Sequence, residues 1–256
     1  MINIPSLPGA CFTNMFKPCA IIPVYNHPQS IHSVIAQLTK ANLTCFVIDD
    51  GSSPLCREYL ATICDKDPLI KLIRHADNQG KGAAVCDGLI MASESGFTHA
   101  LQVDSDGQHN LADIPRFLDA AKKHPNAVIS GVRNRKKMPR ARRYGRWIND
   151  FWVWVHTLSL EIKDSMCGYR CYPLQETMAL LQTTSIGKRM DFDTDILIGL
   201  YWNDVPLAQI ETDIRYNDAI VSHFDLLWDN LRISKMHTKH FFGMLARLPR
   251  LLAKHF

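Results

Sequence analysis

"LQVDSDGQHN", residues 101–110, runs from an apolar stretch straight into two aspartates one residue apart, then a glutamine and a histidine. On an extended chain Asp104 and Asp106 point to the same side, because side chains repeat every two residues. Hard carboxylate oxygens gathered at a strand end suit Mg²⁺ or Mn²⁺, which in turn suit phosphates. A polar turn after a strand has the same composition. The weight of the pair therefore depends on what the rest of the chain brings to the same edge.

Upstream, short β-branched runs alternate with helical periodicity. Residues 19–24 ("CAIIPV") read as a buried strand, followed by Ile31, Val34, Ile35 and Leu38 at helix spacing. Further strands are expected at 44–48, 69–73, 99–103 and 127–130, with a helix opening near Gly80 and another over 111–123. Strand, helix, strand, helix predicts an α/β fold whose mostly parallel central sheet is flanked by helices. Ligands bind such sheets at the carboxyl ends of the strands. "PVYNH" (23–27), "DDGSS" (49–53) and "DSDGQH" (104–109) all fall there and together outline a pocket.

A dehydrogenase would show Gly-x-Gly-x-x-Gly/Ala after the first strand, where this chain has Tyr25, Asn26 and His27. "GKGAAV" (80–85) comes late and puts Val85 at the small position, and no Gly-x-x-x-x-Gly-Lys-Ser/Thr occurs. The remaining arrangement holds the base with strand-end side chains and the diphosphate through a metal.

The chain has 256 residues, 46% of them apolar, enough for one large α/β domain with an appendage. Its formal charge of +4 is unevenly spread: residues 131–147 hold eight Lys/Arg and residues 235–256 five more, neither with an acid, which leaves the rest net acidic. Eight cysteines without a Cys-x-x-Cys pair, several inside apolar segments, predict reduced buried thiols in a cytosolic protein. "HTKH" (237–240) and "CGYRC" (167–171) lack a second ligand pair at zinc spacing. No basic-then-apolar leader pattern and no run of 18 apolar residues is present.

Six segments in register, "IIPVYN", "VIDDGS", "NQGKGAA", "QVDSDGQH", "DSMCGYRCYP" and "FDTDIL", resemble family 2 glycosyltransferases, nearest the dolichyl- or polyprenyl-phosphate sugar synthase branch. The likeness covers about residues 18–232, and "SHFDLLWDNLRI" (222–233) looks like a Ser-His-Phe…Asp-x-x-Arg segment of bacterial members. It implies a GT-A fold at 18–232, with 1–17 as an N-terminal extension and 233–256 as a basic amphipathic tail. It also implies inversion at the anomeric carbon, a UDP- or GDP-linked sugar donor and Mg²⁺ or Mn²⁺ as cofactor. By position, Pro23, Tyr25 and Asp50 would line the base and ribose site, with Asn26 and Asp49 shaping its wall and Asp104 reaching the donor. Asp104, Asp106 and Gln108 match the metal and diphosphate motif. His27 departs from the branch, which often has glutamate there, and Tyr25 with Asp50 suits uridine and guanosine alike.

Departure of a nucleoside diphosphate builds negative charge on the β-phosphate, where a metal on Asp104 and Asp106 would sit. Arg133, behind the strand at 127–130, is a candidate for the diphosphate or an acceptor phosphate, since guanidinium binds phosphate bidentately. Arg140, Arg142 and Arg143 read equally as a solvated basic loop. Asp164 and Arg170 suggest an internal ion pair, Gly168 a tight turn, and Pro173 the start of a helix. Asp191, Asp193 and Asp195 open another helix, whose macrodipole favours anions. Acids in this region act as the base in relatives that glycosylate hydroxyls, so Asp195 is the first candidate and Asp193 the second. A lipid phosphate acceptor arrives ionised and needs no base.

Residues 235–256 mix Phe241, Phe242, Met244, Leu245, Leu248, Leu251, Leu252 and Phe256 with cations, a composition suited to an anionic membrane interface or to packing on the domain, with Pro249 expected to bend or interrupt the helix. The expectation is a peripheral enzyme at the cytoplasmic face of the inner membrane, acting on a lipid or polyprenyl-phosphate acceptor. Two other classes accompany it: a nucleotidyltransferase, which would release pyrophosphate, and a non-catalytic membrane or nucleic-acid binder. No recognised nucleic-acid module surrounds the basic stretch, so nucleic acid is not an expected partner.

Overall fold

A computed structural model describes residues 15–135, 138, 140–214 and 225–254. Seven strands, β1 (Pro18–Val24), β2 (Thr44–Asp49), β3 (Ile70–Arg74), β4 (His99–Gln102), β5 (Val128–Arg133), β6 (Arg170–Pro173) and β7 (Leu207–Thr212), form one sheet in the order β3-β2-β1-β4-β6-β5-β7. All pairings are parallel except those of β6, which runs antiparallel to both β4 and β5. The strand periodicity divides the core into two layers. Ile21, Phe46 and Ile48 face one side with Val85, Leu89, Phe192 and Ile196, whereas Ala20, Ile22, Cys45 and Val47 face the other with Ile31, Leu38, Leu60 and Phe117.

The helices are α1 (Pro28–Lys40), α2 (Pro54–Cys64), α3 (Lys81–Glu94), α4 (Ile114–Lys123, after a 3₁₀ turn at Leu111–Asp113), α5 (Arg140–Thr157), α6 (Leu174–Thr183), α7 (Phe192–Trp202) and α8 (Trp228–Ala253). Helix α1 buries Ile31, Val34, Ile35 and Leu38, the residues its periodicity singled out. Six of the seven described cysteines are buried and all are free thiols. Burial pushes Cys45 up to about 12 and Cys64 up to about 11, so both stay protonated. Cys11 lies outside the described residues.

Four sequence expectations need correction. Residues 140–146 belong to helix α5 and not to a loop. Pro173 ends β6 and precedes α6 instead of opening it. Helix α8 continues through Pro249 to Ala253. Its last turn is held by Arg250 and Lys254 on Asp204 and by buried Leu251, which together offset the lost N–H. Finally, Asp164 pairs with Arg133 and not with Arg170. Arg170 is fully buried and donates to the carbonyls of Asp193 and Ser165, because β6 carries it into the sheet centre while Asp164 stays at the end of β5. Among the described residues no helix is long and apolar enough to cross a membrane.

Candidate active site

The carboxyl ends of β1, β2 and β4 open onto one cleft of about 1550 Å³. That exceeds the roughly 300–1,000 Å³ of a single-ligand pocket. Pro23, Val24, Tyr25 and His27 line it from β1, Asp50 from β2, and Asp104, Ser105, Asp106, Gln108 and His109 from the segment after β4. Asn26 and Asp49 stand behind the wall. Asn26, at φ 56, accepts from Ser53 N through Oδ1 (2.8 Å), and its own N–H donates to Ser52 Oγ (3.1 Å), which ties the ends of β1 and β2 together. Buried Asp49 accepts from Ser52 N (3.0 Å).

Asp104 lies beside Lys81, whose Nζ is 2.9 Å from Oδ1 and 3.0 Å from Oδ2, and His109 Nε2 is 3.3 Å away. Lys81 Nζ is also 2.9 Å from Asp193 Oδ2. Burial alone would lower the Lys81 ammonium, but the two carboxylates override it and raise it above its ordinary value. Burial likewise works against the Asp104 carboxylate, yet Lys81 and His109 hold it well below the usual range. Lys81 is placed by Gly80, which caps α3 at φ 107 and whose missing Cβ would meet Lys188 O at 2.4 Å. Gly168 serves close approach and not a positive-φ turn: a Cβ there would lie 2.7 Å from Lys81 Nζ and 3.0 Å from Asp104 Oδ2.

The two helix-opening acids have different surroundings. Asp193 lines the cleft, bound by Lys81 and by Gln102 Nε2 at 3.3 Å, and Arg170 fixes its backbone carbonyl. Asp195 is absent from the cleft wall and faces α8, where His240 Nε2 is 2.6 Å from its Oδ1 and Gly187 N donates to its Oδ2 (2.8 Å). Burial disfavours its charge, but His240 and Lys239 keep its carboxyl below the ordinary range. Arg133 reaches the wall with its guanidinium gripped by Asp164, Nε to Oδ2 at 2.7 Å and Nη2 to Oδ1 at 2.6 Å. The sequence reading missed Lys81, Arg189 and His109, which line the cleft, and Gln102, which holds Asp193. A lone lysine between two glycines at a helix opening was the available signal for the first.

The donor set fits a hard divalent cation. Asp104, Asp106 and Gln108 line one space with two carboxylates and an amide, with Lys81 and His109 against Asp104 and Gln108 N donating to Asp106 Oδ1 (2.9 Å). Among the described residues no three His, Cys, Asp or Glu are grouped to hold a metal unaided. Two protein carboxylates with substrate phosphates and water completing the shell is the usual arrangement for Mg²⁺.

Beyond Asp104 the cleft continues between α5 and α8, lined by Ile148, Trp152, Leu226, Ile233, Phe241 and Phe242. Asp229, the acid of the expected Asp-x-x-Arg pair, is buried there and binds Arg232 (2.9 Å). Ser222–Phe224 and the side chain of Arg142 lie outside the described residues.

The mostly parallel sheet with one antiparallel strand is the fold of GT-A glycosyltransferases of known structure. Residues 19–187 match the family described as Glycosyl transferase family 2, and the chain belongs to that family. It is similar to an undecaprenyl-phosphate mannosyltransferase of Micrococcus luteus, 24% identical over 204 residues, covering 76% of this chain and 84% of that one. A polyprenol monophosphomannose synthase of Mycolicibacterium smegmatis is 25% identical over 252 residues, covering 91% and 89%. Among solved structures, the mannosyltransferase PcManGT from Pyrobaculum calidifontis, in complex with GDP-Man and Mn²⁺, superposes with a TM-score of 0.56 at 13% identity, covering 90% or more of this chain (91%) and 64% of that one. The resemblance to family 2 and its polyprenyl-phosphate branch is borne out by these relatives.

Proposed function

We propose that this glycosyltransferase moves a sugar from a UDP- or GDP-linked donor to a polyprenyl-phosphate-type lipid, with inversion, at the cytoplasmic face of a membrane. The continuous cleft carries the reading: an acidic, strand-end half suited to a nucleoside diphosphate joins an apolar, aromatic half suited to a lipid. The names of the relatives support the acceptor.

In this reading Asp50 and Tyr25 receive the base and ribose, and Asp104, Asp106 and Gln108 would hold Mg²⁺ or Mn²⁺. Bound there, the ion would neutralise charge on the departing diphosphate. Lys81 adds a fixed cation at the same point. A phosphate oxygen of the acceptor attacks the anomeric carbon opposite the leaving group. The new C–O bond forms as the bond to the β-phosphate oxygen breaks, and that electron pair leaves with the nucleoside diphosphate. The acceptor phosphate is already ionised, so no proton must be removed. Arg133, oriented by Asp164, and Arg189, donating to Asn78 Oδ1 at 2.9 Å, are placed to bind phosphate.

Exposed Trp147, Ile148 and Phe151 on α5 and Leu231, Phe242 and Leu245 on α8 flank the apolar half, interspersed with cations. That combination supports contact with an anionic leaflet. A nucleotidyltransferase accounts for the acidic strand end but leaves the aromatic half without a role.

Thermal-shift measurements with GDP, UDP and ATP, each with and without Mn²⁺, test the donor half. One nucleoside diphosphate with Mn²⁺ should stabilise the fold by about 2.7 kcal/mol at a concentration 100 times its Kd. Stabilisation by a triphosphate alone contradicts the reading.

A further inference from the structure

We propose that His75 is a positioning residue for the donor's base: strung between Asp87 and Asp50, it fixes the orientation of the Asp50 carboxylate that the base meets. The proposal rests on Asp50 lining the nucleotide half of the cleft. His75 follows β3, is 7% exposed and lines no part of the cleft itself. Its Nδ1 is 2.8 Å from Asp50 Oδ1 and its Nε2 is 2.9 Å from Asp87 Oδ2. Each ring nitrogen thus faces one carboxylate oxygen, which fixes the ring between the two acids. Its backbone is pinned as well, N–H donating to Asp49 O (2.9 Å) and O accepting from Arg57 Nη2 (2.6 Å).

Asp50 is held by three donors. Gln79 N (2.8 Å) shares Oδ1 with His75, and Gly80 N (2.8 Å) takes Oδ2. Two of these come from the loop opening α3, and His75 is the only side chain among them. A carboxylate so held is purely an acceptor, and it meets a ring N–H, as in uracil or guanine, without rotating. Asp87, on α3 and with its side chain 46% exposed, acts through His75 and not on the nucleotide.

The test is calorimetric binding of GDP, UDP and Mn²⁺-pyrophosphate to the full chain and to Asp50→Asn, His75→Asn, His75→Gln and Asp87→Asn. The Asn amide mimics Nδ1 and retains the Asp50 bond, whereas the Gln amide mimics Nε2 and retains only the Asp87 bond. The expected result is about 10-fold weaker binding of the preferred nucleotide for His75→Gln, with a smaller loss for His75→Asn and Asp87→Asn. Mn²⁺-pyrophosphate affinity should be unchanged in all three, and KM for the donor should rise at constant kcat. Asp50→Asn separates the two levels of the argument. If it weakens nucleotide binding while the His75 and Asp87 variants do not, the relay is overturned and the donor pocket stands. If Asp50→Asn binds as the wild type does, both are overturned. Equal loss of pyrophosphate affinity would show a general structural role and overturn the relay. Asp87→Asn alters a half-exposed carboxylate, so it decides the matter even if a His75 variant fails to fold.

Discussion

Asp193 and Asp195 sit two residues apart in the first turn of α7, yet one faces the cleft and the other faces α8. The sequence placed both at a helix opening, where it ranked Asp195 first. It had no means of choosing, because the choice depends on His240 and Lys81, 45 residues downstream and 112 upstream of their partners. Substituting the two separately exposes the difference. Asp193→Asn should lower kcat by about 100-fold, since Lys81 loses one of the two anchors that place it beside the reacting phosphate, with a smaller effect on Tm because Asp104 still pairs with Lys81. Asp195→Asn should cost about 2 kcal/mol or more as a weakened buried pair, lowering Tm by about 4–8 °C, with kcat within about 3-fold. Kinetics and thermal melts on the same preparations check this, and the reverse pattern would return the functional role to Asp195. Strand-end residues were more legible. Asp50, Asp104, Asp106 and Gln108 line the cleft because strand ends in a parallel sheet leave few other places for them.

Helices α5 and α8 show why the basic stretches resisted reading. On α5 the inward face is Asn149, Asp150, Val153, His156 and Thr157, and the outward face includes Trp147, Ile148 and Phe151. Amphipathicity is thus largely inverted, and a search for an apolar inner stripe finds nothing. A chain of hydrogen bonds links several of these inner polar groups: His156 Nε2 meets His237 Nδ1 (3.0 Å), His237 Nε2 donates to Asn149 Oδ1 (3.0 Å), and Asn149 Nδ2 donates to Ser165 Oγ (2.7 Å). Burial, and then His237, lowers His156 to about 3; burial, and then His240, lowers His237 to about 4. Neutral rings are therefore favoured by the fold. Their contribution is full above the ordinary histidine value of 6.5 and is lost as pH falls toward 4, because the unfolded chain then binds more protons. Each ring should cost about 1.4 kcal/mol per pH unit in that window. Tm should accordingly fall steadily between pH 6.5 and 4.5, with a shallower slope in His156→Phe. A flat profile, or an equal slope in the variant, would show that the pair does not tie α8 to α5.

At the scale of the molecule, periodicity alone yielded the parallel β1–β4 half, whose inner strands β1, β2 and β4 are buried on both faces and whose connections are regular helices. It did not yield β6, four residues long and antiparallel, or the single cleft that binds the two halves together. Those depend on contacts between distant segments, such as Gly168 against Lys81 and α8 against α7. The central claim is that the acidic and aromatic halves of the cleft hold the two substrates of one transfer. Its most direct measurement supplies the purified chain with Mn²⁺, polyprenyl phosphate in anionic vesicles, and GDP-mannose, UDP-glucose or UDP-N-acetylglucosamine labelled in the sugar. One donor should carry its label into the lipid phase as a monophosphate-linked sugar, with one nucleoside diphosphate released per sugar transferred and no transfer by Asp106→Ala. Label that stays in the aqueous phase with every donor, or full transfer by Asp106→Ala, would contradict the account.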